Sequence, residues 1–442
     1  MIEQKFQTSY IDYLDRNIFN FVEYEGYEDK YPTLTAQEFP VDFYEELRYA
    51  SKELFNIFCK TATVFQNTPY KFMEMMDMPE KVIPFMNIPN PLNLPTWLSR
   101  FDFVIDNHEN IHMVELNADT PCSFVESIYG QEIATSMFQM PNPNTNSRQD
   151  FMNFFKEINS VCKPLEVDLY RRDFINKPFI FSCFDDYPED YGTTKFLMNL
   201  IKSACPYEDI RFVSFYDLKI DNDGIILEDG KHASAIYRLH PLELLIDETT
   251  NDGEDLGRMF LQLYDDGMFK MFNPPEALIL QNKSFMSLVY RLYLNNEFFS
   301  LHERNIIEQY LTPSYFEDDF DNLDTGIYIC KNIWGREGKN VHLVKKENKI
   351  KRTIYEKEYD EEIICRESNK VMYQDFIEQK QYQHEVTSGL TEGYLTISCS
   401  MLGNAPSAIY TRFSPDKIAA TEAYWVPNVI IQGVNRKVFV FD

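Results

Sequence analysis

"KNIWGREGKNV", residues 331–341, sets two of the chain's 15 glycines three positions apart among Lys331, Arg336 and Lys339. Glycine lets other atoms approach the backbone closely, and backbone N–H groups beside a lysine complement anionic oxygens. The stretch therefore suits a phosphate chain, although a charged surface turn is the commoner use of such a sequence. Its flanks narrow the choice. "GIYICK" (326–331) and "NVHLVKK" (340–346) both read as strands, so the glycines cap a β-hairpin. A Walker-type phosphate loop runs from strand into helix and ends in Gly-Lys-Ser/Thr, and this stretch does neither. Protein kinases also fold a glycine-rich hairpin over phosphates, but their HRD and DFG companions are absent from the chain. A nucleotide-covering hairpin of another kind remains, provided that a metal site exists elsewhere.

Outward from the hairpin, the chain beyond about residue 325 is strand-rich, with "KIKRTIYEKE", "VMYQDFIEQ", "YLTISCSM" and "SAIYTRFS". Upstream, "KPFIFSCF", "YGTTKFLMNLIKSAC" and "IRFVSFYDL" read as strand, helix and strand, the unit of a parallel α/β layer. Residues 1–98 are mainly helical, as in "FYEELRYASKELFNIFCK", where apolar residues recur at steps of three and four. "NIPNPLNLPTW" is too rich in proline for a helix and forms a connector. The expected division is 1–98, 99–175 (a hairpin and helices), 176–270 (the α/β layer) and 271–442. "DETTNDGEDLG" and "FEDDFDNLD" lack the ligand pattern of a calcium loop and read as solvated acidic linkers.

Composition sets the outer limits. With 44% hydrophobic and 15% aromatic residues the chain can build a large core, which argues against wholesale disorder. A formal charge of −28 argues against a nucleic-acid partner. The eight cysteines are scattered without a CxxC pair, as expected of reduced thiols in a cytoplasm. The opening "MIEQKFQTSY" has no apolar signal core and no later run reaches membrane-spanning length, so a soluble cytoplasmic protein with no membrane partner is expected.

The metal site is sought in "RFDFVIDNHENIHMVELN", residues 100–117. Strand alternation puts Arg100 and Asp102 on one face, and Glu115 and Asn117 on one face of the next strand. Folding the hairpin about His108–Glu109 sets 100 opposite 117 and 102 opposite 115. Like charges directly opposed are destabilising, and a Mg²⁺ ion, which takes carboxylate oxygens together with substrate phosphates, would reverse that sign. A solvated hairpin face carrying a fortuitous charge cluster is the other reading. Two more cations fit. In "ALILQNKSFMSLVYRLYL", Lys283 stands where a strand-like run gives way to a helix and can reach a phosphate or face solvent. In "SAIYTRFSP", Arg412 follows an apolar alternation and suits either a transferring phosphoryl group or a surface ion pair.

Taken in order, "RFDF…VELNADTPCS…QNK…CKNIWGREGKNV…MYQDF…YTRFS" resembles the synthetase domain of glutathionylspermidine synthase and its stand-alone ATP-grasp relatives, over roughly residues 95–430. The resemblance implies a mixed α/β (α+β) ATP-grasp fold with a helical N-terminal part. A Rossmann-like, substrate-side α/β layer at 176–270 and a strand-rich nucleotide-binding part at 271–442 would complete it. It implies ATP and Mg²⁺ as cofactors, with Asp102, Glu115 and Asn117 holding the metal and Lys283 and Lys331 on the phosphates. Gly335, Arg336 and Gly338 would form the flap at 331–341, and Gln374 with its neighbour Asp375 would line the adenine pocket. Arg100 and Arg412 would meet the reacting carboxylate and phosphoryl group. Thr120, Cys122 and Ser123 fall where the family contacts its acid substrate, and Glu243 in "YRLHPLELLIDE" would be a substrate-side contact.

Two departures qualify the resemblance. The best-known member carries an amidase domain before its synthetase; none is legible here, and amide hydrolysis is not expected. The acid-contact segment reads Thr-Pro-Cys-Ser in place of a serine-rich version, which leaves the acid open, glutathione included. Nothing marks a partner base for Cys122, so it reads as a pocket-lining residue rather than a nucleophile. The expected activity is an ATP- and Mg²⁺-dependent carboxylate–amine ligase that joins a peptide or small acid to a polyamine or amino group through an acyl phosphate. The rivals are a nucleotide-binding interaction protein without catalysis and a kinase that stops at phosphoryl transfer.

Overall fold

Helix α1 (Val41–Asn67) buries Phe43, Leu47, Ala50, Leu54, Phe58, Thr61 and Phe65, a spacing of three and four that turns one face to the core along 27 residues. The computed structural model describes residues 9–24, 26–162, 177–250, 253–348, 350–356, 364–418 and 423–432. After α1 come strands β1 (Leu98–Ile105) and β2 (Ile111–Asn117), helix α2 (Pro188–Ala204), and the helix pair α3 (Ala277–Gln281) and α4 (Ser284–Leu294). Strands β3 (Gly326–Asn332), β4 (His342–Glu347), β5 (Val371–Asp375), β6 (Gly389–Leu402) and β7 (Ala405–Ser414) follow.

Three larger sheets organise these elements. The central sheet runs Tyr424–Trp425, β7, β6, β1, β2, with Gln381–Val386 paired to the free half of β6. A five-stranded antiparallel sheet has the order Ser314–Phe316, β5, β3, β4, Ile350–Glu356. The third sheet is parallel, in the order Ile210–Phe212, Phe179–Ser182, Ala235–Arg238, Lys270–Phe272, with α2 crossing between its first two strands in sequence. This is the strand–helix–strand layer expected from "KPFIFSCF" onward.

Strand β1 is buried along its whole length. Its alternation sends Phe101, Phe103 and Ile105 into the main core and leaves Arg100 and Asp102 on the opposite face. Behind them, Phe58 of α1 packs on Phe101 at 5.7 Å and on Phe285 of α4 at 5.5 Å, tying helix, strand and second helix together. Burial of one such ring contributes about 1.5–3 kcal/mol.

Two local expectations are corrected. "ALILQ" is helix α3, not a strand, so Lys283 stands between two helices. A short apolar run cannot be assigned by periodicity, and α3 is buried on every side. "FEDDFDNLD" has its acidic residues mostly exposed, as expected, but is not a plain linker: Glu317–Asn322 forms a 3₁₀ helix that buries Phe320. No helix among the described residues is long and apolar enough to cross a membrane.

Candidate active site

Arg100 pairs with Asn117, and Asp102 with Glu115, the register expected from the sequence. It is reached through an irregularity that the sequence reading lacked. Phe103 pairs with Met113, so Val114 is the extra residue of a bulge just before Glu115. The Val114 carbonyl accepts a hydrogen bond from Lys331 Nζ at 2.9 Å. The bulge thus shifts the acidic end of the hairpin into place and anchors a cation from β3.

On the cleft face, Asp102 is 1% exposed and takes two parallel bonds from Arg100, Nε to Oδ1 at 2.8 Å and Nη2 to Oδ2 at 2.9 Å. This is the strong bidentate form of an arginine–carboxylate pair. Asn117 Nδ2 reaches the same Oδ2 at 3.3 Å, and Arg412 Nη2, delivered by β7 across β6, reaches it at 3.4 Å. Arg100 Nη1 continues to Ser123 Oγ at 3.1 Å and to the Cys122 carbonyl at 3.3 Å. Ser123 holds a left-handed backbone at φ 78°, uncommon for a residue with a Cβ. Burial pushes the Cys122 thiol up to about 12, with Arg100 only partly opposing it. That suits a lining residue.

Glu115 pairs with Lys283. Burial opposes its ionisation, but Lys283, Lys331 and Arg412 together hold its carboxyl down to about 2. Lys331 also donates to Gln374 Oε1 at 2.8 Å, whose Nε2 donates to Ser314 Oγ at 3.0 Å. Burial brings Lys331 down to about 8, and Lys283 adds to the effect while Glu115 and Asp102 resist it. Next to Gln374, Asp375 is pushed above the usual carboxylate range by burial, with a hydrogen bond from Tyr315 opposing. Four cations therefore meet two carboxylates in one pocket wall. Arg412 Nε, buried, has no hydrogen-bond partner among the described residues. The local surplus of positive charge and this free donor fit an anionic ligand, and the two carboxylates with the Asn117 amide oxygen fit a hard divalent cation.

The loop between β3 and β4 lies down on the body. Ile333 and Trp334 are both buried, and Trp334 Nε1 donates to the Asp77 carbonyl at 3.0 Å. The Ile333 carbonyl accepts from the Lys283 backbone N–H at 3.0 Å. At the tip, Arg336 places Nε and Nη2 on Glu243 Oε1 at 2.9 and 2.5 Å, and Nη1 lies 3.5 Å from Thr120 Oγ1. Glu243 and Thr120, expected on the substrate side, are thus joined by the flap. Gly338 is left-handed at φ 78°, whereas a Cβ on Gly335 would come within 2.9 Å of the Lys339 carbonyl. The two glycines answer different needs, a turn and a close approach.

Sequence reasoning missed a second group beside the loop. Glu126 is fully buried, accepts from Tyr31 Oη at 3.1 Å, and leaves Oε2 without a partner among the described residues. Burial, reinforced by Glu189, pushes its carboxyl up to about 8. Asp190, beside Glu189 in the first turn of α2, is pushed up to about 7 by burial, Glu189 and Glu337. Glu337, on the flap tip, is exposed. Glu189 itself accepts from Tyr24 Oη at 3.0 Å. "PED" at a helix start reads as ordinary acidic capping of the helix dipole, and that masked the second role.

A sequence profile of the glutathionylspermidine synthase preATP-grasp family matches residues 4–431. A Haemophilus influenzae protein provisionally named an acid–amine ligase is 24% identical over 262 residues, or 58% of this chain. The match spans 57% of that relative's length. A glutathione synthetase-like effector from Globodera pallida, solved in its apo form, superposes with a TM-score of 0.55 at 12% identity, over 90% of each chain. At that identity the likeness speaks for the fold alone, the mixed α/β architecture of an ATP-grasp-like synthetase. With its profile matched almost from end to end, the chain belongs to the glutathionylspermidine synthase preATP-grasp family.

Proposed function

We propose that the protein is an ATP-dependent ligase that joins a carboxylic acid to a cationic amine. The observation that carries this reading is the cleft wall of Arg100, Arg412, Lys283 and Lys331 around Asp102 and Glu115, a positive surplus inside a chain of formal charge −28. In the reaction, the substrate carboxylate attacks the γ-phosphorus of ATP and the bond to ADP breaks, leaving an acyl phosphate. The amine nitrogen then attacks the acyl carbon, loses a proton and expels phosphate to leave an amide.

Lys283 and Lys331 would bind the phosphate chain, and Gln374, with Asp375 beyond it, would border the adenine. The flap, through Gly335, Arg336 and Gly338, would cover the phosphates and exclude water. Arg412, with its free Nε, would hold the phosphoryl oxygens as charge shifts, and Arg100, fixed by Asp102, Ser123 and the Cys122 carbonyl, would orient the acid. Asp102, Glu115 and Asn117 would hold Mg²⁺, which when bound neutralises phosphate charge. Thr120, Cys122 and Ser123 lie beside Arg100 and the flap tip, on the acid side. The carboxylates of Glu126, Glu189, Asp190 and Glu337 favour an amine with a second positive centre.

Incubation of the protein with ATP, Mg²⁺ and a panel of small acids, peptides and polyamines, followed by product mass spectrometry, tests the reading. ADP release that needs both acid and amine, with an amide of matching mass, is expected. ADP release with acid alone would make the protein a kinase, and none across the panel would leave a binding protein.

A further inference from the structure

Asp119 stands in the chain between Asn117, on the metal side of the cleft, and Thr120, on the acid side, and is 1% exposed. Its carboxylate accepts two parallel bonds from the equally buried Arg238, Nη2 to Oδ1 at 2.5 Å and Nη1 to Oδ2 at 2.9 Å. Arg238 Nη1 also donates to the His240 carbonyl at 2.8 Å, Nη2 lies 3.5 Å from the Asn273 carbonyl, and Nε lies 3.2 Å from Met271 Sδ. The Asp119 backbone is fixed as firmly: its N–H donates to Gln281 Oε1 of α3 at 3.0 Å, and its carbonyl accepts from Asn273 Nδ2 at 2.8 Å. One more bond leads to the place where the flap docks. Asp119 Oδ2 accepts from the Leu242 backbone N–H at 2.8 Å, where the short helix Leu242–Leu245 begins, and the next residue, Glu243, accepts from Arg336. Thr120, which follows Asp119, lies 3.5 Å from the same guanidinium through Oγ1. Asp119 therefore links, through one neighbouring residue on each side, the two groups that the arginine of the flap touches. A buried ion pair adds little net stability over an apolar pair of similar size, because desolvation offsets the attraction, so what Arg238 and Asp119 contribute is sought in geometry.

We propose that Asp119, held by Arg238, is a positioning residue that sets the separation of Thr120 and Glu243, so that Arg336 can bridge them and seat the flap on the acid side. Asp119 acts through the Leu242 N–H and the backbone of Thr120, without touching nucleotide or acid. Groups that contact a ligand hold their geometry only when a supporting layer locks them, and here one carboxylate locks both halves of the dock. The inference rests on the ligase reading for what the seated flap serves, and adds to it the device that seats the flap.

The test is amide hydrogen exchange over residues 333–341 of the full chain, in a double-mutant cycle of Asp119→Asn and Arg336→Met. Asp119→Asn keeps the shape of the side chain and an oxygen for the Leu242 N–H, but leaves Arg238 without its counter-charge. It should quicken loop exchange about fivefold or more, the lower end of ordinary coupling between sites. In the Arg336→Met background it should add little, since both changes act on one bridge. Arg238→Lys keeps a cation beside Asp119 and loses the planar fork, so it should quicken the loop to a smaller extent. Where Asp119→Asn does not fold, Arg238→Lys takes its place in the cycle. Phe58→Ala, which destabilises the molecule away from the dock, should leave loop exchange as it is. Unchanged loop exchange in Asp119→Asn, additive effects in the double variant, or equal quickening by Phe58→Ala overturns the inference. Failure of both Asp119→Asn and Arg238→Lys to fold also overturns it, since the pair would then be a requirement of the fold alone. Amide formation, which tests the ligase reading, is a separate measurement, so failure of one is told from failure of the other.

Discussion

Lys331 Nζ spends two hydrogen bonds on the Val114 carbonyl and Gln374 Oε1, which fixes the ammonium where the loop begins. Among the described residues Arg412 is held more loosely, by a contact of 3.4 Å to Asp102, with Nε unpartnered. The difference predicts different phenotypes. Lys331→Ala should weaken binding of the ATP analogue by about 1.5–3 kcal/mol, the value of a charge-assisted hydrogen bond. Arg412→Ala should leave that affinity nearly intact and lower turnover by roughly a hundredfold or more, because its donors act on charge that develops during transfer. Calorimetry beside steady-state ADP release checks both, and equal turnover in Arg412→Ala and wild type would remove Arg412 from the mechanism. At this scale the sequence was informative wherever chemistry demanded an unusual residue. Arg100, Asp102, Glu115 and Asn117 are charged or amide groups on strands whose other face is core. Glu126, Glu189 and Asp190 were silent because carboxylates near helix starts have an ordinary explanation.

The hairpin of β1 and β2 was legible as an element because its two faces differ so sharply that only one pairing serves both. The bulge at Val114 was not, since an inserted residue leaves no mark in an alternation that resumes one step later. The helix α3 failed for a related reason: four apolar residues and a glutamine, all buried, have no period to read. The flap was legible as a glycine-rich hairpin but not as a docked one, because its anchors, Asp77, Thr120 and Glu243, are distant in sequence. Those anchors make a prediction. Arg336→Met keeps much of the side-chain volume and removes both bonds to Glu243, leaving a buried carboxylate unpaired. Amide exchange across residues 333–341 should then quicken while exchange in β3 and β4 stays the same. Unaltered exchange in the loop would mean that Trp334 and Ile333 alone hold it down.

Across the whole molecule, α1 supports the cleft from behind, and its contribution is testable as stability. Phe58→Ala would open a cavity between Phe101 and Phe285 and should cost about 3–5 kcal/mol, read as a lower urea midpoint. Buried carboxyl groups add a pH dependence whose sign follows from their direction. In the folded chain Glu126 keeps its proton to about pH 8, and Asp190 and Glu276 to about pH 7, through burial. Unfolded carboxyls release theirs near pH 4. Between those limits the folded state binds more protons than the unfolded one, so stability falls as pH rises. His384, whose imidazole burial holds down to about 4, works in the opposite sense up to about pH 6.5, the value at which an unfolded histidine is half charged. Lys331, held near 8, enters only above that value. The window from about pH 6.5 to 8 therefore isolates the carboxyl effect, with Glu126 last to ionise. Glu126→Gln keeps an oxygen acceptor for Tyr31 and has no proton to lose. The unfolding free energy of wild type, from urea melts at half-unit steps of pH, should decline across this window. The decline should be shallower in the variant, by a slope of at most about one proton. Parallel curves would mean that Glu126 is already ionised at pH 6.5 and that the buried acid cluster carries its charge without a proton.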